Sequence, residues 1–289
     1  MKVLVTGATG FTGSYTIPLL LKRGYRVRCF VRPTSDINGL LKENIELCKG
    51  DLNENRDLER CLDNVDAFIN IASLGFGHGQ LIVNALQEKG IKRAIFVSTT
   101  AIFTNLNSAS KTTRLAAEKN IEDSGLEYTI IRPTMIYGDG NDRNMCRLVK
   151  YIKKMPAIPI FGSGEYLQQP VFVGDVASVL CDVLDNKKTY SKSYNIGGAK
   201  ALTYNEVIDT VATLLRKKIR KIHMPAEPVV NILQIFEKMT IPLPLKAEQI
   251  QRLNEHKAFD ITDAAHDFGY KPLTFREGME RELRVMGIL

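Results

Sequence analysis

Long apolar runs, paired cysteines and clustered histidines are all scarce in this sequence, and each scarcity removes a class of function. No apolar stretch approaches the ~20 residues that a membrane-crossing helix requires, so a membrane span is not expected. The five cysteines (Cys29, Cys48, Cys61, Cys146 and Cys181) are scattered without a C-x-x-C pair, and the four histidines (His78, His223, His256 and His266) show no metal-ligand spacing. Neither disulfides nor a metal site are therefore expected. The first strand begins at Lys2, with no charged segment and apolar core of a leader before it, and a reducing, cytoplasmic location is the expectation. Internal repeats and low-complexity segments are absent too.

What the chain does contain is enough apolar material for a substantial core: 44% of its 289 residues are hydrophobic. Its net charge of +7 suits anionic partners such as nucleotides. The positive residues are spread along the chain except in Arg216-Lys217-Lys218-Ile219-Arg220-Lys221, which reads as a solvated helix end or strand entrance. Aromatics are not interleaved with this charge, so nucleic acid is not expected as the main partner.

The most informative stretch is Val3-Leu4-Val5-Thr6-Gly7-Ala8-Thr9-Gly10-Phe11-Thr12-Gly13. A β-branched, apolar run feeds into glycines at intervals of three, and Ser14 to Lys22 then read as a helix. Gly7 permits a sharp turn, Gly10 lets the backbone approach a pyrophosphate, and Gly13 lets the helix pack closely on the strand. Free N–H groups and the positive end of the helix dipole face the anion. In the order strand, glycines, helix, the pattern predicts a dinucleotide site that includes Thr9, Phe11 and Thr12. Its G-x-x-G-x-x-G spacing resembles the short-chain dehydrogenase/reductase superfamily.

Further strands are predicted at Arg26 to Val31, Ile45 to Cys48, Val65 to Ile71 and Arg93 to Val97, with a helix over Gln80 to Lys89 between the last two. Arg32 closes the second strand, where an arginine accommodates a ribose 2′-phosphate, so NADP(H) is favoured, with NAD(H) as the alternative. His78, in the loop Gly75 to Gly79, is a candidate to face substrate, with plain solvent exposure as its other reading. The order GATGFTG, VRPTS, GDL, FVSTT and SGLEYTIIRPTMIYG covers most of the chain and resembles the extended or atypical short-chain dehydrogenases, including the NAD-dependent epimerase/dehydratase family. That resemblance implies that Asp51 and the adjacent Leu52 contact adenine, that Ala72 lines the cofactor ribose, and that Pro133 borders the cofactor site.

The same resemblance exposes a departure. In the family a hydroxyl residue after the fifth strand, a Tyr, and a Lys four residues beyond that Tyr carry the chemistry, the last two on one helix face. Thr100 fits the hydroxyl position, but counting back from Glu118 puts Ser110 at the Tyr and Arg114 at the Lys. A second register, Asn107 with Lys111, also lacks the phenol. An aliphatic hydroxyl is a far weaker acid than a phenol and a guanidinium stays protonated, so neither register preserves the acid/base couple. The remaining candidate proton donors are Tyr137, just after the sixth strand, and Lys111. Gln168 stands where the family carries an Arg on a substrate diphosphate, although Arg143, Arg147 and Lys150, on a basic helix candidate over Asp139 to Lys154, could supply positive charge.

The expected fold is α/β: a Rossmann doubly wound parallel sheet with a smaller, mainly helical C-terminal substrate subdomain. Residues 1–134, completed by about 171–197, form the dinucleotide-binding core, and 135–170 with 198–289 form the substrate subdomain. Thr203 begins a helix with Glu206 at capping-box spacing, and Val229 to Met239 read as a core or dimer helix before a membrane-surface one, leaving a homodimer open. The expected function is an NAD(P)-dependent oxidoreductase or epimerase/dehydratase-like enzyme on a small polar or nucleotide-sugar substrate. A catalytically silent NADP(H)-binding sensor or assembly factor is the first alternative and an RNA-binding atypical member the second.

Overall fold

A buried parallel strand must be apolar on both faces, and Val3, Leu4 and Val5, all fully buried, meet that demand in β1 (Lys2–Thr6). The computed structural model describes residues 1–106, 109–142, 144–239 and 245–289. Around β1 gather β2 (Arg26–Val31), β3 (Glu46–Lys49), β4 (Ala67–Asn70), β5 (Arg93–Val97) and β6 (Glu127–Pro133). The short strands β7 (Ile136–Tyr137), β8 (Ala157–Phe161), β9 (Leu167–Gln168) and β10 (Val171–Phe172) follow, then β11 (Lys192–Ile196), which joins the main sheet, and β12 (Leu202–Thr203) and β13 (Arg220–Met224). The seven-stranded sheet has the order β11-β6-β5-β4-β1-β2-β3, and all its pairings are parallel. The chain therefore reverses its direction of winding between β1 and β4, which opens a crevice at the carboxyl ends of those two strands.

Alternation along the strands divides the apolar residues between two layers. Val3, Val5, Ile69, Ile95 and Ile131 pack with α1 (Phe11–Lys22) and α6 (Val173–Asp182) through Ile17, Leu20, Val176, Val179 and Leu180. Leu4, Phe68, Phe96 and Ile130 face the other way, onto α2 (Asn55–Cys61), α3 (Gly79–Glu88) and α4 (Ala109–Glu122) through Leu58, Ile82, Leu86 and Ile121. The fold is the doubly wound Rossmann architecture expected from the sequence. A third core joins α5 (Met145–Lys154), α7 (Tyr204–Leu214) and α11 (Phe275–Val285) through Val149, Ile152, Val207, Val211, Met279 and Leu283. Two further helices, α8 (Ala226–Lys238) and α9 (Ala247–Leu253), pack on each other, and α10 (Thr262–Phe268) returns to the main sheet.

The structure moves several sequence-based boundaries. Helix α1 begins at Phe11, three residues before Ser14, and the basic helix begins at Met145 rather than Asp139, because Asp142 caps it by accepting from the backbone N–H of Met145 at 2.6 Å. Thr203 and Glu206 form the reciprocal capping box that their spacing predicted. Two expectations fail. Cys48 at the end of β3 and Cys61 at the end of α2 form a disulfide, with Cα atoms 5.9 Å apart, because the crossover folds residues 13 apart onto each other without any spacing motif. Of the two readings of α8, core or dimer helix, the core one fails: the helix buries Val230 against α9 and leaves Ile232, Ile235 and Phe236 exposed.

One buried carboxyl gives the third core, around α5, α7 and α11, a pH signature. Glu282 on α11 is fully buried, and burial, reinforced by the neighbouring Asp142 carboxyl, pushes its pKa up to about 9. A carboxyl raised on folding contributes stability below its ordinary pKa, and that contribution is lost as pH rises towards 9. Glu282→Gln, which keeps the neutral shape, is expected to unfold at a higher temperature than the wild type at pH 8 and to flatten the decline between pH 5 and 9. Identical pH profiles in thermal unfolding would contradict this assignment.

Candidate functional site

The opening loop is shaped by what its glycines exclude. Gly7 has φ +70°, and a Cβ there would lie 2.7 Å from the backbone N of Ala72. At Gly13 a Cβ would lie 2.6 Å from the Ala8 carbonyl oxygen, so α1 can start against the strand only with glycine at this position. The Gly10 N–H donates to the Gly7 carbonyl at 3.0 Å and closes the turn. The Thr6 hydroxyl donates to Asn70 Oδ1 at 2.7 Å and Asn70 Nδ2 donates to the Ala72 carbonyl at 2.8 Å, which ties the carboxyl ends of β1 and β4 together. No side chain caps α1 at Gly10, so the positive helix end faces this loop. The cradle fits a dinucleotide pyrophosphate: exposed Thr9 and Gly10 form its rim, Phe11 is half-buried, and Thr12 is buried beneath.

On the far side of the crevice, Arg32 is exposed at the end of β2, near enough to Asp51 to favour its ionised form. Asp51 accepts from the Asn53 backbone N–H at 2.9 Å and from Asn53 Nδ2 at 2.8 Å, and these bonds hold its carboxyl below the usual range. Leu52 beside it is half-buried. His78 belongs to this end: its Nε2 lies 3.1 Å from Asn53 Oδ1, and it lines neither of the two cavities described next. The loop after β4 carries the imidazole to the segment after β3.

Near the ends of β4, β5 and β6 a cavity of about 360 Å³ is lined by Thr12, Ser73, Ser98, Thr99, Ser110, Arg114, Pro133 and Arg252. It adjoins a larger cavity of about 730 Å³, and the two share Thr99, Ala101, Thr134 and Arg252. Thr100 is buried, lines the larger cavity and has its hydroxyl 3.4 Å from the Pro133 carbonyl. Ser110 and Arg114, one turn apart on α4, come together in the smaller cavity, where Arg114 Nη1 donates to Ser110 Oγ at 2.9 Å. Burial and the neighbouring Arg252 both lower the pKa of Arg114, since two guanidiniums approach one space.

The two expected proton donors are not in that space. Parallel pairing of Ile136 with Val171 and Tyr137 with Phe172 turns the Tyr137 ring into the second lobe, against Phe172 and Phe275. Its hydroxyl donates to the Phe275 carbonyl at 3.3 Å, it lines neither cavity, and burial pushes its pKa far above the ordinary phenol value. Lys111 lines neither cavity either, and its ammonium donates to the Thr104 carbonyl at 2.6 Å. Asn107 and Arg143 lie outside the described residues. Lys150 is exposed and outside both linings, whereas Arg147 lines the larger cavity from an exposed position.

Reading the sequence did not find the residues of the far wall. Arg252 and Lys257 line the larger cavity from α9 and the segment after it; Lys257 donates to the Arg252 carbonyl, and burial lowers its pKa to about 8. Glu255 accepts from the Thr104 hydroxyl at 2.6 Å and the Asn105 N–H at 2.9 Å, which joins the wall to the segment after β5. Gln168 is buried and donates to the Glu255 carbonyl at 3.3 Å. The available signal was weak: a polar run, Gln249 to Lys257, following the apolar stretch of α8.

A family model described as NAD(P)H-binding matches residues 7–187, more than half of the chain, and the chain belongs to this family; its relatives and structural neighbours include NAD-dependent epimerases and dehydratases. UDP-glucose 4-epimerase of Vibrio cholerae is 24% identical, with 97% of this chain and 94% of that one covered. The mitochondrial NADH dehydrogenase [ubiquinone] 1 alpha subcomplex subunit 9 of Arabidopsis thaliana is 26% identical over 92% of this chain and 71% of its own length. Photosystem II assembly factor Ycf39 of Trieres chinensis is 23% identical over 82% and 76%. Among solved structures, UDP-glucose 4-epimerase of Thermotoga maritima with UDP-glucose superposes with a TM-score of 0.77 at 18% identity, covering 99% of both chains. No helix among the described residues is long and apolar enough to cross a membrane. If the glycine cradle receives the dinucleotide, Gly7→Ala should weaken NADPH binding by about tenfold or more while the far-ultraviolet circular dichroism is kept; unchanged affinity would contradict this.

Proposed function

We propose that this chain is an NADP(H)-dependent oxidoreductase or epimerase/dehydratase-like enzyme that acts on a small molecule without the Tyr-Lys dyad. The observation that carries this reading is the adjoining pair of cavities: the end of the cofactor crevice meets a ligand-sized space through Thr99, Ala101, Thr134 and Arg252. In this reading residues 1–134 with about 171–197 hold the dinucleotide, and 135–170 with 198–289 form the substrate side. Gly7, Thr9, Gly10, Phe11, Thr12 and Gly13 hold the pyrophosphate, Arg32 the ribose 2′-phosphate, Asp51 and Leu52 the adenine, and Ala72 and Pro133 flank the ribose and nicotinamide. The bound cofactor supplies hydride chemistry at its nicotinamide. Thr100 would hydrogen-bond the reacting oxygen, and the paired charges of Arg114 and Arg252 would stabilise a developing alkoxide, which lessens the demand on a proton donor.

The alternative of a catalytically silent cofactor-binding protein draws support from a different observation. Among the described residues neither a Tyr nor a Lys lines the smaller cavity, and two relatives are named as a respiratory-complex subunit and an assembly factor. Fold alone does not choose between the two.

Cofactor choice and turnover test the reading separately. A charge-assisted contact from Arg32 is worth roughly 1.5–3 kcal/mol, so calorimetric titration should show NADPH binding about one to two decades tighter than NADH, with the gap closing in Arg32→Ala. Equal wild-type affinities would contradict the preference. Screening NADPH oxidation against nucleotide sugars and small carbonyls should find turnover that falls roughly 10-fold or more in Thr100→Val and is unchanged in Tyr137→Phe. Tight NADPH binding with no turnover on any compound would favour the silent protein.

A further inference from the structure

The larger cavity has walls that do not suit a diphosphate. Met145, Leu148, Ile158 and Ile160 approach from one side and Ile250 and Leu253 from α9 on the other. Several of the polar groups between them are already engaged. Gln168 donates to the Glu255 carbonyl, the Glu255 carboxylate accepts from Thr104 and Asn105, and Asn254 Nδ2 donates to the carbonyls of Phe161 and Ile250, both at 2.9 Å. Of the cations in the lining, Lys257 is tied to the Arg252 carbonyl and Arg147 stands exposed, which leaves Arg252, exposed enough beside Glu248 to reach both cavities, as the one that faces their junction.

A nucleoside diphosphate needs cations or backbone N–H groups converging on its phosphates, whereas a ligand in this space meets mainly methyl groups and ring edges. We propose that the larger cavity binds a neutral, predominantly apolar small molecule, its carbonyl or hydroxyl end directed to Thr100 and Arg252 where the two cavities join. The inference rests on the reading that this cleft is the substrate side of the cofactor site, and it narrows the substrate class within it. The apolar walls take up the body of the ligand through hydrophobic burial, and the shared threonine and arginine fix its one polar end.

The test uses Prodan, a neutral naphthalene ketone whose emission moves to shorter wavelength in apolar surroundings, with the full-length protein loaded with NADPH. A blue shift that saturates is expected, and UDP-glucose at millimolar concentration should not reverse it. Leu148→Trp, which fills the cavity, and Leu253→Arg, which sets a charge in the opposite wall, should each weaken Prodan binding by about tenfold or more. Both should leave NADPH affinity within about twofold of wild type. Two wall variants are used so that misfolding of one does not decide the outcome. Ile235→Ser removes part of the exposed apolar face of α8 and should change neither ligand.

Displacement of Prodan by UDP-glucose would overturn the proposal. So would Prodan binding that survives both wall variants but is lost in Ile235→Ser, or no Prodan binding by a protein that binds NADPH. If NADPH fails to bind while Prodan binding still depends on Leu148 and Leu253, the enzyme reading falls and the apolar cavity stands.

Discussion

The close approach of two backbones, Gly7 to Ala72, is the constraint on which the rest of the site depends. Only glycine fits there, because a side chain at Gly7 would run into the segment leaving β4. The Thr6–Asn70–Ala72 hydrogen bonds fix that approach from below, in buried surroundings where a lost partner is costly. From this junction follow the direction of α1, the position of its uncapped N-terminus and the crevice at the point where strand order reverses. The glycines at 10 and 13 add a turn and a tight helix–strand contact to the same junction.

Beyond the cradle, the electrostatics depart from the family pattern. A phenol supported by a lysine would give a titratable proton near neutrality, but α4 presents Ser110 bonded to Arg114, and Arg252 faces the same cavity from the other lobe. These groups offer fixed positive charge and hydrogen bonds rather than a titratable couple. Glu118, which locates the register, is spent structurally: it accepts from Arg132 Nε at 3.0 Å and Nη2 at 2.6 Å. In the proposed reaction, chemistry at this site leans on charge stabilisation, and substrate choice on the walls of the adjoining cavity.

The Rossmann sheet and the cradle were legible because their signals are local. Near-continuous apolar strands, glycines three apart and a capping box at Thr203 act within a few residues, and the fold of the first half follows from them. What escaped depends on contacts between distant segments. The two-residue strand holding Tyr137 takes its orientation from Val171 and Phe172, over thirty residues later, and nothing near Tyr137 announces that its hydroxyl will meet the Phe275 carbonyl. Cys48 and Cys61 meet only because β3 and α2 are neighbours in the folded crossover. Arg252 and Lys257 reach the cavity because α9 packs beneath α8, and no motif marks a wall assembled in this way.

In the function proposed above, the glycine cradle directs the nicotinamide to the junction of the two cavities, with no phenol beside it. Crystals grown with NADP⁺ test this most directly. Density is expected for the pyrophosphate at the N-terminus of α1, for the nicotinamide in the smaller cavity beside Thr99 and Arg114, and for its reactive carbon facing the larger cavity past Thr100. A nicotinamide turned out to solvent, or a Tyr137 hydroxyl swung round to touch its ribose, would rule this placement out.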